Sequence, residues 1–509
     1  MSHSPDAVTL ASAPGKVLVA GGYLVLDRRY SGLVVGTDAC LYAAVKTQPL
    51  ATTTSSSASS SLLSIFVRSP QFTSAWWRYA FDPSTSTLRQ TESADGTENT
   101  FVHVVLETAL ALANARQPGK LRDVPGLMVA LLADNDFYSQ RRTLEERGLA
   151  LTAEALASLP RMGPVGCALR DVHKTGLGSS AAMVTSLVAA LLAHLGVVGS
   201  PSSSSLSSSA SHPDEWSSKE RRLVHNVAQL AHCLAQGKVG SGFDVSAAVY
   251  GSHVYTRFSP AVLEPAMAAT HRPSVANICA AADADDSNAL WDGRVEPVDV
   301  PPRLLLRLAD VNAGSSTPGM VRQVLAWQKE HPVEAKQLWD ALDAANTRVR
   351  QLWDALHKAA DEDRPAYDAV VDWCAERACA GWRDAQAPAL PAVHLLADLV
   401  DATQAVRALQ RTMGANAGVP IEPAEQTRLL DACMLVPGVC MAAVPGAGGY
   451  DAIYCVTLGD APGRAVAALW AAWSEMSVGP LLANQASGGV RLLDPRMFPE
   501  ATSALSPEE

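Results

Sequence analysis

The segment K-T-G-L-G-S-S-A-A, Lys174 to Ala182, constrains this chain more than any other. Gly176 and Gly178 allow positive φ and let the backbone approach a ligand closely. They lead directly into an Ala- and Leu-rich run, Ser179 to Leu195, that reads as a helix stopped by Gly196. The start of such a helix offers unpaired N–H groups and the positive end of its dipole, which together make an anion site. Ser179 and Ser180 add hydroxyls suited to a phosphate or a magnesium ion. The same residues also fit a serine-capped helix after a glycine turn. The segment is not a Walker A loop, because no Gly-Lys-Ser/Thr closes it, and it is not G-x-G-x-x-G after a strand.

Three further segments carry candidate chemistry. In S-A-P-G-K-V-L-V-A-G-G-Y-L-V-L-D, Ser12 to Asp27, a Pro14–Gly15 turn presents Lys16 where a strand begins. A lone lysine beside a turn is ordinarily only solvated. In G-K-V-G-S-G-F-D-V-S-A-A-V-Y-G-S, Gly237 to Ser252, Asp244 stands among small and apolar neighbours. A carboxylate there must be paired or functional, since an isolated buried charge is costly, and Lys16 is the natural partner. In V-P-G-A-G-G-Y-D-A-I, Val444 to Ile453, Gly446, Gly448 and Gly449 form a turn between strands, with or without a ligand beside it.

Strands are expected at Val17–Ala20, Leu24–Leu26, Leu33–Val35, Leu41–Val45 and Leu304–Leu308, and a pair at Val439–Val444 and Ile453–Leu458. Helices are expected at Phe101–Ala115, with Asn99 or Thr100 as cap, at Glu220–Gln236, in two stretches between Gly319 and Lys358, and at Ala392–Met413. This mixed order without βαβ alternation predicts an α+β fold. Ser-rich tracts near 51–61 and 200–211 read as flexible insertions. The Ala/Asp stretch Asn277 to Asn288 reads as a link between an N-terminal domain, 1–285, and a C-terminal domain, 300–509.

The net charge of −11 argues against a nucleic-acid partner but not against an anionic substrate held by local cations. No apolar run reaches the roughly 18 to 20 residues that span a bilayer. The first ten residues lack the pattern of a secretory signal, and the final Ser-Pro-Glu-Glu matches no address. The nine scattered cysteines read as buried free thiols, which points to a reducing, cytoplasmic setting. A monomer or homodimer is expected.

Taken in order, the lysine-bearing first motif, the central glycine–serine loop and the late glycine turn resemble the GHMP kinase superfamily. The closer resemblance is to the fungal-type phosphomevalonate kinases. It is carried by Ser12–Asp27, Lys174–Ala182, Ala231–Ser252, G-S-S-T-P-G-M-V at Gly314–Val321, G-V-P-I-E-P-A-E-Q-T at Gly418–Thr427, and the turn before Ile453. Val172 stands where the superfamily loop usually has proline. The resemblance implies a ribosomal S5 domain 2-like N-terminal domain, a GHMP C-terminal α+β domain, and a cleft between them for ATP, Mg²⁺ and phosphomevalonate.

By this resemblance Lys16 and Asp244 are catalytic. Lys174, Gly176, Leu177, Gly178, Ser179, Ser180 and Ala181 hold ATP, with Ser180 also meeting the metal. Lys238, Ser241, Arg257, Ser315, Ser316, Thr317, Arg322, Gly446, Gly448 and Gly449 are the expected substrate contacts. Related mevalonate kinases carry a magnesium-binding glutamate eleven residues before the aspartate. Here that position is Cys233, so metal coordination must differ.

Overall fold

Two antiparallel strands, β1 (Val8–Ala20) and β2 (Ser31–Thr47), organise the molecule. Both are buried along most of their length on both faces. Ala11, Ala13, Ala43 and Val45 enter the main core, while Leu10, Tyr42 and Ala44 face a smaller cluster closed by Ala501, Ala504 and Leu505. Period-two alternation separates the two sets. The computed structural model describes residues 7–48, 62–199, 216–268, 272–285, 288, 290–311, 317–384 and 387–506. Both Ser-rich tracts lie outside the described residues.

Around this pair grow β3 (Leu63–Arg68), β4 (Trp76–Asp82), β5 (Thr87–Ser93), β6 (Leu127–Ala133), β7 (His253–Thr256) and β8 (Arg294–Pro297). A second sheet holds β9 (Leu304–Val311), β10 (Val439–Ala443), β11 (Ala452–Leu458) and β12 (Val478–Leu481), in the order β10-β11-β9-β12. The chain then returns. β13 (Gln485–Ala486) pairs with β2, and β14 (Arg491–Leu493) pairs with β1. Among the described residues only β3 and β6 run parallel, so the architecture is α+β as expected.

The helices Thr100–Arg116, Ser179–His194 and Ser218–Gln236 pack on one another, and the second of them lies on β1 and β2. Their starts follow capping chemistry. The Asn99 side chain accepts from the Val102 N–H, and Ser217 with Glu220 closes a full capping box. Beyond β9, the helices Thr317–Glu330, Pro332–Glu362 and Pro391–Ala417 pack together around the buried Trp339 and Trp353.

Three expectations need correction. Leu24–Leu26 is not a strand. Gly21 (φ 125°) and Gly22 (φ 50°) turn the chain into the 3₁₀ helix Gly22–Leu26. The stretch from Asn277 is folded into the main core. Ser274 caps the helix Val275–Ala281, and Ile278, Ala281, Ala282 and Ala284 are buried. All nine cysteines are free, but Cys167, Cys279 and Cys379 are only half-buried.

Burial also fixes the protonation of two histidines. Desolvation pulls His225 and His253 down to about 4. His253 sits between the Ser246 hydroxyl and the Gly251 carbonyl at the end of the Asp244 helix. Both are neutral in the folded chain at pH 7, against an unfolded value near 6.5. The stability gained by keeping them neutral is complete above about pH 6.5 and is lost as the pH falls towards 4. Urea unfolding should therefore show a steep loss between pH 6.5 and 4.5, on the order of 2 kcal/mol per histidine. His225→Asn should flatten that slope, and an unchanged slope would contradict the assignment.

Candidate active site

The glycine–serine segment Lys174–Ala182 lies between the two sheets, bridged to Tyr138 on one side and, through His173, to Asp310 on the other. Its approach is held by a bridge between Tyr138 and Lys174 and by Thr175, whose N–H donates to Phe137 O. His173, one residue earlier, reaches the second sheet through Asp310, 3.1 Å from its Nε2. That hydrogen bond raises the His173 pKa against the opposing effect of burial. Arg141 grips the other oxygen of Asp310 at 3.2 Å. Gly176 (φ 83°) and Gly178 (φ 82°) are both left-handed, and Gly178 opens the helix Ser179–His194 with no side-chain cap. The first-turn N–H groups are thus left for an anion. Leu177 and Ala181 have buried side chains and can offer only backbone.

Lys16 docks onto this loop twice. Its N–H donates to Leu177 O at 3.0 Å, and its Nζ donates to Gly176 O at 2.9 Å. A Cβ on Gly178 would stand 3.1 Å from Lys16 Cε, so glycine there makes room for the lysine stem. Desolvation lowers the Lys16 pKa, and the charges of Asp244 and Asp451 oppose it. Phe243 lies under the ammonium, 5.6 Å from Nζ to the ring centroid.

Asp244 occupies the first turn of the helix Phe243–Tyr250, which follows the left-handed Gly242 and also lacks a side-chain cap. One of its oxygens accepts from Val245 N at 2.9 Å. The other lies 3.8 Å from His232 Nε2, which in turn is 3.1 Å from Ser180 Oγ. Ser180, His232 and Asp244 therefore converge from three helices. His232 was not singled out in the sequence, although it stands inside the Ala231–Ser252 segment. Its neighbour Cys233 is 1% exposed, accepts from the Gln229 amide at 3.4 Å and belongs to the core.

The late glycine turn faces the same space. Gly446 N–H donates to Leu18 O, and Tyr23 donates to Ala447 O at 2.9 Å. Gly449 N–H donates to Ile421 O at 2.8 Å. A Cβ on Gly448 (φ 71°) would fall 2.1 Å from that carbonyl oxygen. Behind it, Glu422 is fully buried and takes Arg407 at 2.8 Å, Arg411 at 2.7 Å and the Thr427 hydroxyl at 3.0 Å. These residues belong to the P-I-E-P-A-E-Q-T segment and its facing helix. They hold the turn from below.

A cleft of about 170 Å³ opens between these parts, lined by Lys16, Tyr23, Gly176, Ser241, Phe243, Val321, Gly446, Gly448 and Asp451 among others. On the other side of Ser179 and Ser180 lies a cavity of about 100 Å³ walled by Phe72, Trp77, Phe101 and Tyr138, with Lys174 at its edge. A larger cavity, about 430 Å³ near Asp136 and Arg141, is lined by neither Lys16 nor Asp244 nor the glycine–serine loop, so size does not mark the site.

None of the three expected substrate cations lines the cleft. Arg257 gives its guanidinium to the carbonyls of Leu26, Val239 and Gly240, which makes it a brace for the loop before Asp244. Lys238 and Arg322 are exposed and line neither cavity, although Val321 beside Arg322 lines the cleft. Ser315 and Ser316 lie outside the described residues, and Thr317 begins the helix Thr317–Glu330.

No family model matches the chain. It is 38% identical to the peroxisomal phosphomevalonate kinase of Arabidopsis thaliana, across 96% of this chain and 97% of the relative. The chain belongs to the phosphomevalonate kinase family. A family member from Aspergillus fumigatus is 36% identical over 88% of this chain and 87% of its own. Among solved structures, a Listeria innocua protein superposes with a TM-score of 0.62 at 14% identity, covering 96% of this chain and 100% of that one. The Streptococcus pneumoniae phosphomevalonate kinase, solved with phosphomevalonate and AMPPNP, gives 0.54 at 13%, covering 94% and 99%. The fold is that of the GHMP kinases. Among the described residues, no helix is long and apolar enough to cross a membrane.

The glycine turn gives a direct test. Gly448→Ala must displace the Ile421 carbonyl or abandon a positive φ, a strain of about 1–3 kcal/mol. Turnover should drop at least tenfold, while Tm falls by only a few degrees. Wild-type kinetics in this variant would show that the turn does not shape the cleft.

Proposed function

We infer that the chain is an ATP-dependent phosphomevalonate kinase, moving the γ-phosphoryl group of ATP onto the phosphate of (R)-5-phosphomevalonate to give diphosphomevalonate and ADP. The observation that carries this reading is Lys16, in the field of Asp244, docked on the glycine loop that opens an uncapped helix, beside a glycine-floored cleft that Lys16 lines. Diphosphomevalonate then feeds isoprenoid and sterol synthesis. The nine free thiols suit a cytoplasmic location.

In this reading the ATP phosphates rest on the N–H groups of Gly178, Ser179, Ser180 and Ala181, with Lys174 beside them. The aromatic walls of the 100 Å³ cavity suit a purine. Phosphomevalonate takes the 170 Å³ cleft, against Ser241, Gly446 and Gly448, with Gly449 fixing the turn. Among the described residues lining that cleft, Lys16 is the one cation. It stabilises charge on the transferred group.

A magnesium ion fits this donor set. No group of three His, Cys, Asp or Glu side chains that could hold a metal exists among the described residues. Magnesium needs no such cage, since it binds through one or two protein oxygens with phosphates and water. Ser180 Oγ and the Asp244 carboxylate would supply them. Bound there, the ion would neutralise charge on the phosphate oxygens.

The acceptor is a phosphate with a second pKa near 6, already largely a dianion at neutral pH. A general base has little to remove. Asp244 instead orients Lys16 and the metal site.

Two measurements test this reading. A coupled ADP-release assay with mevalonate, phosphomevalonate and diphosphomevalonate in parallel should show turnover of phosphomevalonate, and preference for mevalonate would overturn it. Asp244→Asn should lower kcat by roughly 10² or more, and the loss should persist from about pH 5.5 to 9. Rescue at the alkaline end would restore the general-base role.

A further inference from the structure

We propose that His232 is a positioning residue that turns the Ser180 hydroxyl into a metal ligand. The proposal rests on the kinase reading above and deepens it.

His232 sits near the end of the helix Ser218–Gln236, only 3% exposed, with Phe101 against its ring. Its Nε2 is approached by Gln236 Nε2 at 3.2 Å, by Ser180 Oγ at 3.1 Å and by Asp244 Oδ2 at 3.8 Å. With the Gln236 amide nitrogen turned towards it as a donor, we assign Nε2 the lone pair and Nδ1 the proton. The carboxylate lies beyond hydrogen-bond reach, as it should when no proton stands between it and Nε2. That nitrogen has one lone pair for two donors, and Ser180 Oγ, the nearer of them, takes it and donates its O–H to His232.

The direction of that bond decides what Ser180 can do. A serine free to rotate points its proton at a phosphate oxygen. With the proton held by His232, the oxygen lone pairs face outward, where a hard cation takes them. One imidazole thus fixes Ser180 as an oxygen ligand and stands beside Asp244, the second oxygen donor. Cys233 cannot take this part, because it lies about 100° further round the helix and inside the core.

The test is binding of a non-hydrolysable ATP analogue, by calorimetry, with Mg²⁺ and with EDTA. His232→Leu should weaken binding in Mg²⁺ by about tenfold, the scale on which residues orienting a metal ligand act. Binding in EDTA should be unchanged. Ser180→Ala should show the same pattern, and the double variant should lose no more than either single one. His232→Gln, which sets an acceptor oxygen near the position of Nε2, should recover most of the Mg²⁺-dependent gain. His232→Asn, which falls short of it, should not. This Gln–Asn pair carries the test if the Leu variant does not fold. Additive losses, an equal loss in EDTA, or equal behaviour of Gln and Asn would overturn the proposal. If wild type fails to turn over phosphomevalonate, the functional reading falls, while the metal-dependent binding pattern still decides the role of His232.

Discussion

The contact on which the rest of the site depends is the docking of Lys16 on the glycine–serine loop. One backbone bond to Leu177 O and one ammonium bond to Gly176 O tie the first strand to the start of the central helix. Strand and helix are both rigid and buried, so the lysine is positioned by the sheet and not by a loop. Glycine at 178 is the other half of this arrangement. It supplies the left-handed turn that frees the helix N–H groups, and it leaves space for the lysine stem. The cleft charge follows from the same packing. Burial lowers the pKa of the ammonium, and the charges of Asp244 and Asp451 oppose that lowering in part.

The opposite wall of the cleft is held by ions. Arg407 and Glu422 are both fully buried, and Asp431, Arg411, Gln404 and Thr427 complete their bonding. A buried pair of this kind adds little net stability over apolar packing, but breaking it leaves an uncompensated charge. Its value here is geometric. It fixes the segment from Ile421 onward, and Ile421 O sets the glycine turn through Gly449.

Much of this was legible in the sequence. Helices with a cap and a long apolar run were found almost to the residue, as with Phe101–Ala115 against Thr100–Arg116. The glycines of the Gly176–Ser180 loop and of the late turn stand out in the sequence because a left-handed backbone demands them, and Lys16 and Asp244 stand out as lone charges among small and apolar residues. Other parts leave no local mark. β6 is L-M-V-A-L-L-A, buried throughout, and an unbroken apolar run does not distinguish strand from helix. β13 and β14 are two and three residues long, too short for any period. Arg257 looks like a free cation in sequence because its partners are carbonyls, which every residue has. His232 is hidden by its neighbour: one step along a helix separates the core-facing Cys233 from the site-facing imidazole.

The return of the chain to its first sheet bears on how the protein is made. β1 receives its outer neighbour only from Arg491–Leu493, and the Gln485–Ala486 strand joins β2 from the same late segment. During synthesis the strand that carries Lys16 therefore waits, with one edge unpaired, while more than four hundred further residues leave the ribosome. Helices can form in that interval, but the sheet that aligns Lys16 cannot be completed until almost the whole polypeptide has emerged. For most of translation that edge is open to pairing with another nascent chain.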